Sequence, residues 1–268
     1  MLKQRVITGL IMAFAALAAV FFASTMLFAY LSAIVFLCGA WEWSRLSGLG
    51  QAWQSLLYTA LMALVLLGVW YTPLLLVMAA ACVFWLFAMY CIVKYPKHTQ
   101  YWSPAIVRQV IGFFVLAPSW LAINVIRESE QGAWVLLSLF VIVWAADIGA
   151  YFAGRAWGRR ALMPNVSPKK TFEGFLGGLV LSLLLAAVII ALLPDISLLE
   201  WFELLLGVVL VNIYSVAGDL FESVLKRYCG VKDSGKMLPG HGGVLDRIDS
   251  LTAAAPLFLL GLMLIWFW

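Results

Sequence analysis

Charge is scarce in this chain. Only 11% of its 268 residues are Asp, Glu, Lys or Arg, against about 25% in soluble domains. Its 17 basic and 13 acidic side chains cannot cover a water-facing surface of that size. This excludes a soluble enzyme, a disordered chain and a nucleic-acid module built on a basic face. Cysteine is equally thin. Cys38, Cys82 and Cys91 lie in or beside apolar runs and read as small hydrophobes, not as a disulfide framework. Cys229, in a polar stretch, has no assigned role. The two histidines form no Ser–His or His–carboxylate arrangement, so an activated-serine mechanism has no base. Long linkers, internal repeats and lipidation motifs are also missing.

What is present is hydrocarbon: 65% hydrophobic and 15% aromatic residues, with a mean hydropathy of +1.02. The apolar runs are too long for barrel strands, so the chain reads as an all-α, polytopic integral membrane protein. The run from about Val6 to Leu46 exceeds one span of about 17–25 residues, and its central polar pair, Ser24 and Thr25, predicts a tight turn between two helices. Further spans follow at roughly 53–70, 73–93, 105–126, 133–154, 173–193, 200–225 and 250–267, about nine in all. Pro73 and Pro104 open segments, and Pro194 closes one. Residues 1–130 supply N-terminal helices and 131–268 the helices carrying the polar site, in one membrane-embedded unit.

The basic residues test this count. With the amino terminus cytoplasmic and the spans alternating, every Lys and Arg except Arg127 falls inside. One span more or fewer would scramble that division. Eight further spans also argue against reading residues 1–25 as a signal peptide. Trp266, Phe267 and Trp268 then form an aromatic anchor on the outer side.

Two inside loops, roughly 155–172 and 226–249, hold ten of the seventeen basic residues. The helix ends that feed them carry carboxylates. Asp147, Tyr151 and Arg155 share one helical face, as do Asp219, Glu222, Ser223, Lys226 and Arg227, and as do Asp246, Asp249 and Ser250. Carboxylates that hold a hard cation, beside cations that hold phosphates, suit a magnesium-bound polyphosphate at headgroup depth. Gly240, Gly242 and Gly243 beside His241 allow positive φ and an anion-binding turn of backbone N–H groups. Ser167, Lys169, Lys170 and Thr171 read as a capped helix start whose lysines and hydroxyls are equally able to grip phosphate. Glu42, between Trp41 and Trp43, reads as a structural carboxylate near the inner interface. A transporter for an anionic metabolite is the rival reading, although its polar residues would have to line a path to both faces.

At Ser223–Asp249 the sequence resembles the signature of the phosphatidate cytidylyltransferases. The matching positions are Ser223, Lys226, Arg227, Lys232, Asp233, Gly235, Leu238, Pro239, His241, Gly242, Gly243, Asp246, Arg247 and Asp249. The likeness extends to Asp147–Tyr151 with Gly154 and Arg155, to Ser167–Thr171 with Glu173 and Gly174, and to Gly218–Leu220 with Glu222. The first 130 residues match in hydrophobic character and little else. The resemblance implies transfer of a cytidylyl group from CTP to phosphatidate with magnesium, in a homodimer of a bacterial inner membrane, the site facing the cytoplasm. It implies Asp219 and Asp246 as metal ligands with Asp249 and Ser223 beside them, and Lys226 and Arg227 as phosphate contacts; the charge pattern adds Arg247 to neutralise pyrophosphate and the lipid phosphate. Asp147, Ser167, Lys169, Lys170, Thr171, Lys232, His241, Gly242 and Gly243 complete the expected substrate-binding set. A second cation beside the magnesium is compatible with such a cluster. A CTP-using lipid kinase, which would release CDP instead of pyrophosphate, is the nearer rival.

Overall fold

The computed structural model describes residues 2–266, with side chains from Ile7 to Ile265. The side chains of Lys3, Arg5 and Trp266, and the whole of Phe267 and Trp268, lie outside the described residues, so the expected aromatic anchor does too. Among the described residues nine α-helices run α1 Leu2–Phe22, α2 Thr25–Leu46, α3 Ala52–Val69, α4 Leu74–Lys94, α5 Ala105–Glu128, α6 Gly132–Trp157, α7 Phe172–Ala191, α8 Leu198–Tyr228 and α9 Leu245–Trp266. Eight, α2 to α9, are long and apolar enough to cross a membrane; the apolar part of α1, Ile7–Phe22, is shorter. The protein is an integral membrane protein, and its apolar surface says the same. Phe152, Leu184 and Leu199 point outward, as lipid-facing side chains do.

Local signals account for the helix ends. Ser24 breaks the first apolar run as expected, its hydroxyl accepting the Leu27 N–H at the start of α2. Pro73 and Pro104 sit immediately before α4 and α5. Ser197 and Glu200 form a capping box that opens α8. The last helix begins at Leu245, earlier than the apolar run alone predicts. Asp246 therefore lies in its first turn, where a carboxylate favours the helix dipole.

Helix α5 is the central post, buried almost without interruption from Val115 to Asn124. Around it pack Phe36, Trp43, Trp85 and Phe221, all nearly inaccessible. Several buried polar groups in this apolar setting are paired, which offsets the cost of burying them. Asn124 and the Trp120 indole both donate to the Ser32 hydroxyl, and Ser182 donates to Asn212. Arg127, the one basic residue that the charge pattern leaves outside, donates to the Val20 and Ala23 carbonyls at 2.6 and 3.0 Å. It thereby satisfies open acceptors at the end of α1.

One departure from pure helix occurs in the 155–172 loop. Residues Ala161–Met163 and Ser167–Thr171 form an antiparallel two-stranded hairpin, β1 and β2. Thr171 still caps α7, its hydroxyl accepting the Gly174 N–H at 3.0 Å. Glu173 accepts the Arg159 and Arg160 N–H groups and ties the hairpin base to α7. Close approach of α6 and α7 requires glycine: a Cβ on Gly149 would sit 2.6 Å from the Gly177 carbonyl oxygen.

Candidate active site

Three structural units bring charge to one end of the bundle: the last turns of α8, the first turns of α9, and the hairpin. Helices α8 and α9 run antiparallel and touch at Gly218, where any Cβ would collide with the Asp249 carbonyl oxygen. That approach sets Asp219 beside Asp249. One turn nearer the loops, Lys226 Nζ lies 2.6 Å from Asp246 Oδ1 and 3.3 Å from Glu222 Oε1.

The hairpin adds Lys170. Adjacent strand residues point to opposite faces, so the two lysines expected to act together are separated. Lys169 is exposed, while Lys170 turns inward and ion-pairs with Asp219. Arg227 is not directed at the cluster by its observed bond: its Nε donates to the Val166 carbonyl at 3.1 Å and holds the hairpin turn against α8. Ser167 is half-buried in β2, and Thr171 serves as a helix cap. Asp147, from α6, lies within electrostatic reach of Lys170, Asp219 and Arg247.

The carboxylates divide into two kinds. Asp246 is heavily engaged: Oδ1 faces Lys226, and Oδ2 accepts from Ser234 N, Ser234 Oγ and Gly243 N at 2.8–3.0 Å. The anion-binding turn expected in the glycine loop is therefore already occupied by the chain's own carboxylate. Gly240 and Gly242 do carry the expected positive φ, +78° and +83°. His241 packs against Gly9 of α1, its Nδ1 buried without a partner among the described residues. Lys232 and Arg247 are exposed.

Glu222 is the other kind. It is 3% exposed, and no N–H or O–H among the described residues reaches either oxygen with hydrogen-bond geometry. Lys226 offers an ion pair without that alignment, and the Asp249 carboxyl lies within hydrogen-bonding reach. Asp219 accepts from Ser223 Oγ at 3.3 Å and has Asp249 within electrostatic reach. Negative oxygen thus exceeds positive nitrogen around Asp147, Asp219, Glu222 and Asp249. Among the described residues no three acidic, histidine or cysteine side chains form a protein-only metal cage. Magnesium does not require one, since it is usually held by one or two carboxylates with water and substrate phosphates. The acidic, all-oxygen donor set fits such an ion.

A cavity of about 660 Å³ lies elsewhere, between α6, α7, α8 and α9 toward the opposite end of the bundle. No lysine or arginine lines it, so its walls cannot hold a triphosphate.

Two residues of the polar end stand outside the set read from sequence. Glu42 of α2 is 1% exposed, and its Oε2 accepts from Ser234 Oγ and Leu245 N at 3.0 and 2.8 Å. Ser234 connects it to Asp246. The available signal was a carboxylate inside an apolar run, which marks a functional position until a structural partner is found.

An apolar helical bundle that concentrates carboxylates and ammonium groups at one end defines an integral membrane protein with a charged site at one face. The chain belongs to the cytidylyltransferase family, whose family model matches residues 3–265. It is 41% identical to the phosphatidate cytidylyltransferase of Pseudomonas aeruginosa over 96% of each chain. The phosphatidate cytidylyltransferase of Haemophilus influenzae is 38% identical, over 96% of this chain and 97% of the relative. That of Bacillus subtilis is 41% identical over 162 residues, 57% of this chain and 59% of its own.

Proposed function

We propose that this protein transfers the cytidylyl group of CTP to phosphatidate, giving CDP-diacylglycerol and pyrophosphate for phospholipid synthesis. The observation that carries the reading is the meeting of Asp147, Lys170, Asp219, Lys226, Asp246 and Asp249 at one end of an apolar bundle. The near-full-length relatives named for this reaction support it. Phosphatidate cannot leave the bilayer and CTP cannot enter it, so their phosphates meet only near the headgroup plane. The charge distribution favours placing that end in the cytoplasm of a bacterial inner membrane, where CTP is made. Family resemblance favours a homodimer.

Chemically, a phosphatidate oxygen attacks the α-phosphorus of CTP as the bond to the β-phosphate oxygen breaks, and pyrophosphate carries the electron pair away. The phosphate monoester has a second pKa of about 6 and is largely dianionic at neutral pH. It needs no strong base. The barrier is the repulsion between a dianion and a triphosphate, so positioning and charge neutralisation supply the catalysis.

Asp219 and Asp246 would hold magnesium, with Asp249 and Ser223 beside them. When bound, that ion supplies charge neutralisation across the triphosphate. Lys170 is well placed to exchange its Asp219 contact for a phosphate oxygen. Lys226 keeps Asp246 and Glu222 from repelling each other, a different task from the direct phosphate contact expected of it. Arg227 fixes the hairpin that delivers Lys170. Exposed Lys232, Arg247 and Lys169 attract the anionic substrates, while Gly242, Gly243 and His241 shape the loop above them.

The test is purified protein with labelled CTP, phosphatidate and magnesium. Label should enter the lipid extract with equimolar pyrophosphate, and excess chelator should stop both. Release of CDP would identify a lipid kinase instead.

A further inference from the structure

We propose that Glu42 is a positioning residue that holds the 230–244 loop and the first turn of α9, so that Asp246 remains aimed at the acidic cluster; this rests on the transferase reading above. Glu42 comes from α2, far from the polar signature in sequence, yet its Oε2 is the shared acceptor for Ser234 Oγ at 3.0 Å and Leu245 N at 2.8 Å. One contact clamps the loop and the other fastens the first backbone N–H of α9. The intervening segment is thereby closed at both ends.

Space in the loop is arranged around this carboxylate. A Cβ on Gly235 would collide with Glu42 Oε1, and one on Gly243 with Glu42 Oε2 and Ser234 Oγ. Two glycines of the signature therefore have a steric reason: the Glu42 head group fills the volume their side chains would need. Glu42 Oε1 is buried with no hydrogen-bond partner among the described residues. Such an oxygen is costly to keep for packing alone.

Ser234 links this clamp to the reaction. Its single hydroxyl hydrogen faces Glu42 Oε2 and Asp246 Oδ2, each at 3.0 Å, and a hydroxyl donates to one acceptor at a time. Donation to Glu42 leaves Asp246 Oδ2 with the Ser234 and Gly243 N–H groups as its two donors. Glu42 thus draws the hydroxyl away from Asp246 without touching substrate.

The experiment uses the full chain in detergent micelles, with two readouts: turnover of CTP and phosphatidate, and trypsin cleavage after Lys232 and Lys236, both exposed in the clamped loop. Glu42→Ala should lower kcat at least tenfold, change KM for phosphatidate less than twofold, and speed cleavage at both lysines at least fivefold. Glu42→Gln retains an acceptor oxygen for Ser234 and Leu245 and should return cleavage and kcat to within threefold of the parent. Ser234→Ala, in the loop itself, should reproduce the faster cleavage, and it alone decides the matter if Glu42→Ala does not fold. Folded variants with parental kcat and parental trypsin resistance overturn the proposal. A parent protein that turns over no CTP with phosphatidate overturns the transferase reading instead, and the proteolysis pattern still reports on the clamp.

Discussion

Lys226 Nζ stands between Asp246 Oδ1 at 2.6 Å and Glu222 Oε1 at 3.3 Å, one ammonium shared by carboxylates of two antiparallel helices. Its side chain is 12% exposed and those of Glu222 and Asp246 are 3% and 7%. The group is therefore a buried ion cluster, and removing its cation leaves two acids facing each other. Breaking a buried pair costs about 3–5 kcal/mol. Lys226→Met should lower the melting temperature in detergent by several degrees and abolish turnover. Lys226→Arg should recover most of the stability and little of the activity, because a planar fork cannot occupy the site of a point charge. A parental melting temperature for Lys226→Met would show that the cluster is not held by this lysine.

Asp219 makes the contrasting case. Its pair with Lys170 is 29% exposed on each side, and partly solvated pairs contribute only about 0–1 kcal/mol. Asp219→Asn should leave thermal stability nearly unchanged while turnover falls on the order of 100–1000-fold, the usual loss when an electrostatic partner of the transition state is removed. The half-saturating magnesium concentration of any residual activity should rise. Turnover within twofold of the parent at parental magnesium would remove Asp219 from the site.

Gly218 sets the spacing of the two acidic helices. Gly218→Ala places a methyl against the Asp249 carbonyl oxygen and 3.1 Å from its carbon, so α8 and α9 must separate. Overpacking of this kind costs about 1–3 kcal/mol. The expected result is a folded, less stable protein with at least tenfold lower kcat, measured beside its melting curve.

Arg127 lies at the far end of the bundle and should behave oppositely. Arg127→Ala loses two charge-assisted hydrogen bonds to the α1 terminus, each worth about 1.5–3 kcal/mol. The melting temperature should drop while turnover per folded molecule stays at the parental value. Loss of turnover without loss of stability would contradict its assignment as a clasp.

The helices were legible because membrane insertion obeys length, hydropathy and the side on which basic residues lie, all local properties of the chain. Ser24 and Pro104 mark helix boundaries through their own backbone and hydrogen-bonding chemistry. The acidic faces of α8 and α9 were legible for a similar reason, since helical spacing alone brings Asp219 and Ser223 together. The hairpin was not. Ser167–Thr171 is short, contains Pro168, and lacks the β-branched alternation that marks a strand. Nor could spacing reveal that Lys169 and Lys170 part company, because their separation depends on strand geometry where a helix start was expected. The role of Glu42 was hidden further still, as both of its partners belong to another region of the chain.

That remoteness has a bearing on biogenesis. Glu42 and Ser234 are 192 positions apart, and ribosomes add about 5–20 residues per second. The second helix must therefore wait roughly 10–40 s in the nascent assembly before its acid meets the loop that donates to its oxygen. During that interval the acid's place near the inner end of the helix lets interfacial water serve as a temporary partner. Glu42 thus gains its contacts with Ser234 and Leu245 only after the loop between those two residues has been made.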